Sequence, residues 1–203
     1  EFMGVPVMYT PYFSQPDPSV KHKSGLLLPD IGSSRLLGSF AHVPVYIALS
    51  DSRDVTISPL FTTDAGTVVQ GEYRERWGVG GMWLQGSLGY NPETPDGNGP
   101  WESHLFGSGR VPITDTWRAG YDVGLTSNDT YLKRYDISDK DRLTSDLFFE
   151  GVNGRSRAAI TGYFFQGLRI TDASGQIPIV LPLIEYTYIP EHKLFGGQFR
   201  FDT

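Results

Sequence analysis

Side chains that could perform acid–base, nucleophilic or metal chemistry are few and widely spaced in this sequence. Glu72 and Glu75 fall on opposite faces of a predicted strand, so they do not form the facing pair that general acid–base catalysis needs. No GxSxG elbow, phosphate loop or dinucleotide fingerprint occurs. The histidines show no metal-ligand spacing: His22, His42, His104 and His192. The sequence therefore gives no support to an enzyme, and we predict no cofactor.

One acidic cluster has side chains of the kind that bind a divalent cation. Asp136, Asp139 and Asp141 stand at near-alternate positions, loosely like a calcium loop. The cluster lacks the glycine and the terminal glutamate of an EF-hand. We therefore expect a solvated loop, in contact at most with divalent ions that bridge surface lipids, and no metal site.

Two prolines interrupt apolar runs where the sequence predicts neighbouring strands. Residues 23–46, KSGLLLPDIGSSRLLGSFAHVPVY, read as two strands joined by a turn at 32–34. Pro29 follows three leucines, and Pro44 lies between two valines. Because proline has no backbone N–H, it cannot donate to a sheet ladder. The pattern indicates either a deliberately weak seam in the sheet or simple strand ends and bulges.

Composition narrows the class of protein. The chain has 203 residues, with 17 Lys+Arg against 23 Asp+Glu, and this acidic balance argues against a basic nucleic-acid-binding face. No run approaches the roughly 18–20 apolar residues of a membrane-spanning helix. There is no cysteine, so no disulfide framework is possible within these residues. Abundant glycine and aromatic residues, with hardly any helix-forming runs, predict an all-β protein.

Period-2 alternation of apolar and polar residues runs through most of the chain and is clearest at 117–126. These segments are about ten residues long, the length that a tilted strand needs to cross a bilayer. Short turns alternate with longer polar links at 92–102, 127–140 and 171–176, as in outer-membrane barrels. The strands after the first two are predicted at 54–63, 69–77, 82–90, 104–112, 117–126, 143–152, 157–168, 179–189 and 194–201.

The second face of the predicted strands is charged. We predict that the following residues face a water-filled lumen: Glu72, Arg74, Arg76, Arg118 and Asp122. A solvent-exposed sheet of a soluble β-sandwich would carry the same pattern. In that alternative the protein would bind carbohydrate, with Trp83 or Trp101 stacking on a sugar. The pattern favours an antiparallel β-barrel but leaves the sandwich open.

Several motifs, taken in order, resemble the LptD family of lipopolysaccharide-assembly proteins, also called the organic-solvent-tolerance family. The resemblance spans nearly the whole chain. Its early motifs are GVPVMYTPYFSQP, KSGLLLPDIGSS, HVPVY, DVTISP and GEYRER. Its later motifs are DTWRAGYDVGLTSNDTYLKRYD and QIPIVLPLIEYTY.

The resemblance implies a domain organisation. Residues 1–22 would be the end of a periplasmic β-jelly-roll and a hinge. Residues 23–203 would be the N-terminal part of a transmembrane barrel in the Gram-negative outer membrane, with roughly ten or eleven strands. We expect the remaining strands to lie outside this chain.

The resemblance also implies a function. Lipopolysaccharide would arrive from an LptA-like periplasmic bridge and enter a barrel plugged by an LptE-like lipoprotein. It would leave sideways into the outer membrane lipids through a lateral gate between the first and last barrel strands. Pro29 and Pro44 match the family's gate prolines in motif and spacing. The rival within membrane proteins is a general diffusion porin, whose seam should be fully hydrogen-bonded.

Overall fold

Almost every element is a strand of one antiparallel sheet, which confirms the predicted all-β class. A computed structural model describes residues 23–92, 99–169, 180–192 and 196–203. The strands are β1 Gly25–Leu26, β2 Asp30–Ser34, β3 Gly38–His42, β4 Val45–Ser50, β5 Arg53–Thr62, β6 Thr67–Trp77, β7 Gly80–Tyr90, β8 Trp101–Pro112, β9 Trp117–Thr126, β10 Arg142–Asn153, β11 Ser156–Gly167, β12 Val180–Tyr188 and β13 Phe201–Asp202. A short helix, α1, spans Tyr131–Arg134.

The sheet is a meander in which neighbours along the chain are neighbours in the sheet. From β4 to β13 each strand pairs with the next. At the start, β1 pairs with β4 and β2 pairs with β3, while β3 and β4 both pair with β5. The segments β1 and β2 therefore form one interrupted strand, and β3 and β4 form another. In the described part of the chain, the thirteen segments minus these two interruptions give eleven strands, within the predicted ten or eleven.

Two sequence predictions are wrong in detail. Residues 32–34 lie within β2, and the turn falls at 35–37, where Ser34 Oγ accepts a hydrogen bond from the Leu37 N–H and Gly38 takes a left-handed φ of 68°. The predicted strand at 194–201 is reduced, in its described part, to a bridge and Phe201–Asp202. Gly196, with a φ of 81°, cannot continue an extended strand there.

The sheet has one apolar face that remains exposed. Cross-strand partners such as Val69 with Leu88, and Ile160 with Ile184, place apolar side chains on the same face. Leu147 is 68% exposed and Leu88 is 54% exposed on this face. Other exposed members are Ile57, Leu105, Leu125, Phe149 and Phe164. No second sheet packs on this face within the described residues, so the β-sandwich alternative fails there.

The opposite face is polar and is partly covered by the link between β9 and β10. The buried core lies at this covered end: Leu37, Leu60, Ala65, Val68, Tyr131, Leu132, Tyr135, Leu143 and Leu168. In the part of the chain that the structure describes, no helix is long and apolar enough to span a membrane. The predicted jelly-roll end and hinge, residues 1–22, lie outside the described residues.

Candidate functional site

The first hairpin is broken at its two prolines, which lie next to each other. Pro29 falls between β1 and β2, and Pro44 between β3 and β4. The Leu27 N–H donates to the Pro44 carbonyl at 2.9 Å. In an antiparallel pair of this kind the second residue normally returns an N–H bond, and Pro44 has no N–H to give. Proline thus removes one ladder hydrogen bond at the centre of this hairpin.

The two strands of the hairpin also change register across the break. Leu26 is opposite Val45, whereas Asp30 is opposite His42. Three residues therefore separate the paired positions on the first strand, against two on the second. This one-residue excess is a β-bulge, which bends a strand and interrupts its ladder.

A third proline lies at the same level of the next strand. The Val43 N–H donates to the Pro59 carbonyl of β5 at 3.0 Å, and Pro59 cannot return the bond. Sequence reasoning placed Pro59 on a strand but did not connect it with the break. Its relation to Val43 becomes visible only once the register of β3 and β4 against β5 is known.

The break divides the strand pairing of the first hairpin into two short segments. Two residue pairs join β1 to β4 and five join β2 to β3. Eleven join β6 to β7. Within the described residues, the other edge of β1 and β2 has no partner strand. The seven pairs of the proline-broken hairpin are thus divided between two short segments, and its first strand has no second partner in the described part of the sheet.

Four of the five predicted lumen-facing residues make ion pairs on the polar face. The Arg74 guanidinium contacts Asp54 at 2.8 Å and Glu72 at 3.3 Å. Asp122 pairs with Arg110. Arg76 lies on the same face towards the turn after β6, and it has no ion pair among the described residues.

The fourth residue, Arg118, belongs to a chain of charges across three further strands. Its guanidinium contacts the Glu150 carboxylate at 2.6 Å. The Arg157 guanidinium contacts the same carboxylate at 3.2 Å. Arg157 in turn reaches Glu185 on β12. Sequence reasoning missed Glu150 and its neighbours, although their alternation puts them on the polar face. These arginines are largely exposed, so each pair contributes little to stability and the row chiefly makes the face hydrophilic.

The link between β9 and β10 folds inward at its start, whereas the three aspartates of its acidic cluster are exposed, as the sequence predicted for a solvated loop. Tyr131 and Leu132 are fully buried against the polar face. The Tyr131 hydroxyl lies 2.6 Å from Ser87 Oγ, which also contacts Nδ1 of His104 at 2.5 Å. Burial of the Tyr131 phenol raises its pKa to about 12, so it stays neutral at ordinary pH.

Helix α1 ends in a Schellman motif, which fixes the path of the link. The Ile137 N–H donates to the Leu132 carbonyl at 2.8 Å, and the Asp136 N–H donates to the Lys133 carbonyl at 3.3 Å. Asp136 itself takes the left-handed φ of 54° that this motif requires. Ile137 packs on the buried core beside Leu132.

The aspartates of the acidic cluster have separate roles. Asp136 belongs to the helix end, whereas Asp141 pairs with Lys133 at 2.6 Å and Arg169 at 3.3 Å. The hydrogen bond and charge of Lys133, followed by those of Arg169, hold the Asp141 pKa below its usual value. Across the described ranges, no three His, Asp or Glu residues are arranged to hold a metal ion.

A buried ion pair anchors α1 to β8. Arg134 Nη1 contacts both carboxylate oxygens of Glu102, at 2.8 and 2.9 Å, and Glu102 is only 1% exposed. The Tyr135 hydroxyl also donates to the Ala65 carbonyl, in the link between β5 and β6. These contacts close the link over the polar face at one end of the sheet.

These features define a class of protein. A long-stranded antiparallel meander has an exposed apolar face, and its polar face is ion-paired and capped by an inward-folded link. This is the construction of the wall of a membrane β-barrel.

Comparison with known proteins identifies the family. Residues 103–203 match the family model described as LptD, LPS transport system D. The chain is 31% identical over 98% of its length to LPS-assembly protein LptD of Mannheimia succiniciproducens, and 27% identical over 97% to that of Thiobacillus denitrificans. A shorter match of 74 residues, 36% of the chain, is 40% identical to LptD of Idiomarina loihiensis. The chain belongs to the LptD family.

The chain spans only part of these relatives. It covers 27% of the Mannheimia protein, 26% of the Thiobacillus protein and 10% of the Idiomarina protein.

Proposed function

We propose that this chain is part of a protein that transports lipopolysaccharide and inserts it into the outer leaflet of the outer membrane. The relatives that it matches are named for lipopolysaccharide assembly. The lipid would leave through a lateral gate between the first strand and the last strand of the full barrel. No covalent bond is made or broken in this process.

The observation that carries the proposal is the broken hairpin at the start of the sheet. In hydrocarbon, an unpaired backbone group costs several kcal/mol, so a wall that stays shut pairs its strands fully. Pro29 and Pro44 remove donors at this hairpin without leaving orphan N–H groups. The first strand thus lacks a ladder bond to its only partner among the described residues, which would let it shift away from the last strand when the gate between those two strands opens.

The two faces of the sheet support the remaining parts of the route. The exposed apolar face suits contact with outer membrane lipids. The polar face, with Glu72, Arg74, Arg76, Arg118 and Asp122, would line the passage for the sugar portion of the lipid. The full barrel would hold an LptE-like lipoprotein plug, and an LptA-like bridge would deliver the lipid from the periplasm.

The test is to restore the missing donors in the full-length protein. Pro29→Ala with Pro44→Ala should strengthen the first hairpin, because an alanine at position 44 has an N–H that can donate to the Leu27 carbonyl. We expect several-fold less lipopolysaccharide on the surface of cells that depend on this variant, at equal amounts of barrel in the outer membrane. A porin would instead keep its conductance and would have no effect on surface lipid.

Pro59→Ala is the matched control. It makes the same chemical change one strand further from the edge, opposite Val43, where the pairing is not at the proposed gate. We expect nearly normal surface lipopolysaccharide from it. Normal surface lipid with the double variant, or an equal loss with Pro59→Ala, would count against the gate.

A further inference from the structure

We propose that a groove along the polar face, beside the broken hairpin, binds the oligosaccharide portion of the transported lipid. This inference rests on the proposed function and adds a binding site to it. The groove consists of two adjoining clefts that share three residues: His42, Gln70 and Gln85.

The groove runs from the inward-folded link to the proline break. Its larger cleft, of about 680 Å³, lies between the first hairpin and the end of α1, with Arg35 and Lys133 in its lining. Its smaller cleft, of about 340 Å³, continues along β5 and β6 to Leu27. Ligand sites commonly have volumes of about 300–1,000 Å³, so the larger cleft alone can hold sugar rings. A bound sugar would therefore lie against the strand that the gate must release.

The shared middle of the groove offers hydrogen-bonding groups that the protein leaves unused. Nε2 of His42 is buried and has no hydrogen-bond partner within the described residues. Gln70 and Gln85 are half-buried, and their side-chain amides make no hydrogen bond to the described part of the chain. A buried polar group without a partner is costly, and a sugar hydroxyl can both donate to and accept from an amide or imidazole.

One end of the groove carries a positive charge, unpaired within the described residues, and the other end carries an ion-paired arginine. Arg35, on the hairpin turn, is exposed and has no ion pair among the described residues. Arg74, at the other end, shares its charge between Asp54 and Glu72. Neutral hydrogen-bonding groups at the centre, with Arg35 at one end, suit a sugar chain that carries a phosphate or carboxylate group near that end.

The experiment measures binding of a defined probe to purified full-length protein in detergent micelles. The probe is lipopolysaccharide oligosaccharide from which all acyl chains have been removed. The test variant is Gln70→Leu with Gln85→Leu, which keeps side-chain size but removes both amides. We expect its affinity for the probe to fall at least about tenfold, since two hydrogen bonds are lost.

Two further variants serve as controls for position in the sheet and for folding. Thr161→Val changes a polar-face residue of β11 that lines neither cleft, and it should bind the probe as the natural protein does. Thr56→Trp fills the smaller cleft without removing a groove amide, so it should also weaken binding if the double variant fails to fold.

The outcomes separate the groove from the function on which it rests. Unchanged probe affinity in a folded double variant and in Thr56→Trp would overturn the oligosaccharide site, even if intact lipopolysaccharide still binds and reaches the surface. If the natural full-length protein binds neither the probe nor intact lipopolysaccharide, the proposed function fails first. An equal loss in Thr161→Val would also overturn the site.

Discussion

At the scale of single residues, the contact between Arg134 and Glu102 decides where the link between β9 and β10 lies. Glu102 is buried and Arg134 largely so, and two oxygens of one carboxylate face one guanidinium nitrogen. A buried pair of this kind is not strong evidence for overall stability. Removing one partner is nevertheless strongly destabilising, because the other charge stays in a site that water does not reach.

Arg134→Ala should therefore release the link from the polar face. We expect a loss of about 3–5 kcal/mol in the free energy that holds the link, because Glu102 is left buried and unpaired. Limited proteolysis of the full-length protein, with cleavage mapped to residues 127–141, measures the release.

Lys133→Ala is the control for this change. It removes an equal charge one residue earlier, from an exposed pair with Asp141, and should cost no more than about 1 kcal/mol. Equal protease sensitivity of the two variants would show that the buried pair does not anchor the link.

At the scale of elements, the strands are defined by a sheet that has one apolar face and no second layer upon it among the described residues. Each strand between β5 and β12 repeats the same two-residue pattern, because every second side chain belongs to the apolar face. Leu147 on β10 is the most exposed of the described large apolar side chains on these strands. A lipid environment for this face predicts that charge will be tolerated on one side of the sheet only.

Leu147→Arg should weaken insertion of the full-length protein into lipid vesicles. Arginine on a lipid-facing strand costs about 2–4 kcal/mol near the bilayer midplane. Ser108→Arg places the same residue on the polar face near Asp122 and should leave insertion nearly unchanged. The free energy of unfolding from vesicles distinguishes the two. Equal destabilisation would contradict a lipid-facing apolar side.

The same pattern explains which elements could be predicted from sequence. The segment 117–126 was predicted with its observed bounds, because its alternation is unbroken. Helix α1 was missed, because four residues give no helical period and the burial of Tyr131 depends on Ser87, far away in the chain. The turn after β2 was misplaced because Gly38, rather than the earlier glycine and serines, supplies the left-handed residue.

Among the site residues, the prolines and the charged face were identified from local signals. Pro29 and Pro44 each stand inside an apolar run, which is unusual enough to notice. Their adjacency required the register of the hairpin, which one sequence does not give. The partners Asp54, Arg110 and Glu150 were missed for the same reason, since an ion pair across strands depends on which residues stand opposite each other.

At the scale of the whole molecule, the sheet separates two environments. Its apolar side is exposed along its length, and its polar side carries ion pairs, a capped end and a groove that ends at the broken hairpin. The family to which the chain belongs, together with this division, supports a wall with lipid on one side and a hydrophilic passage on the other.

The most direct test of this division is a scan of single cysteines through residues 146–149 of β10 in full-length protein in lipid vesicles. These 203 residues contain no cysteine; any elsewhere in the protein would first be replaced. A water-soluble, membrane-impermeant maleimide should label positions 146 and 148 and spare 147 and 149. Equal labelling of all four positions, or the opposite alternation, would contradict the account.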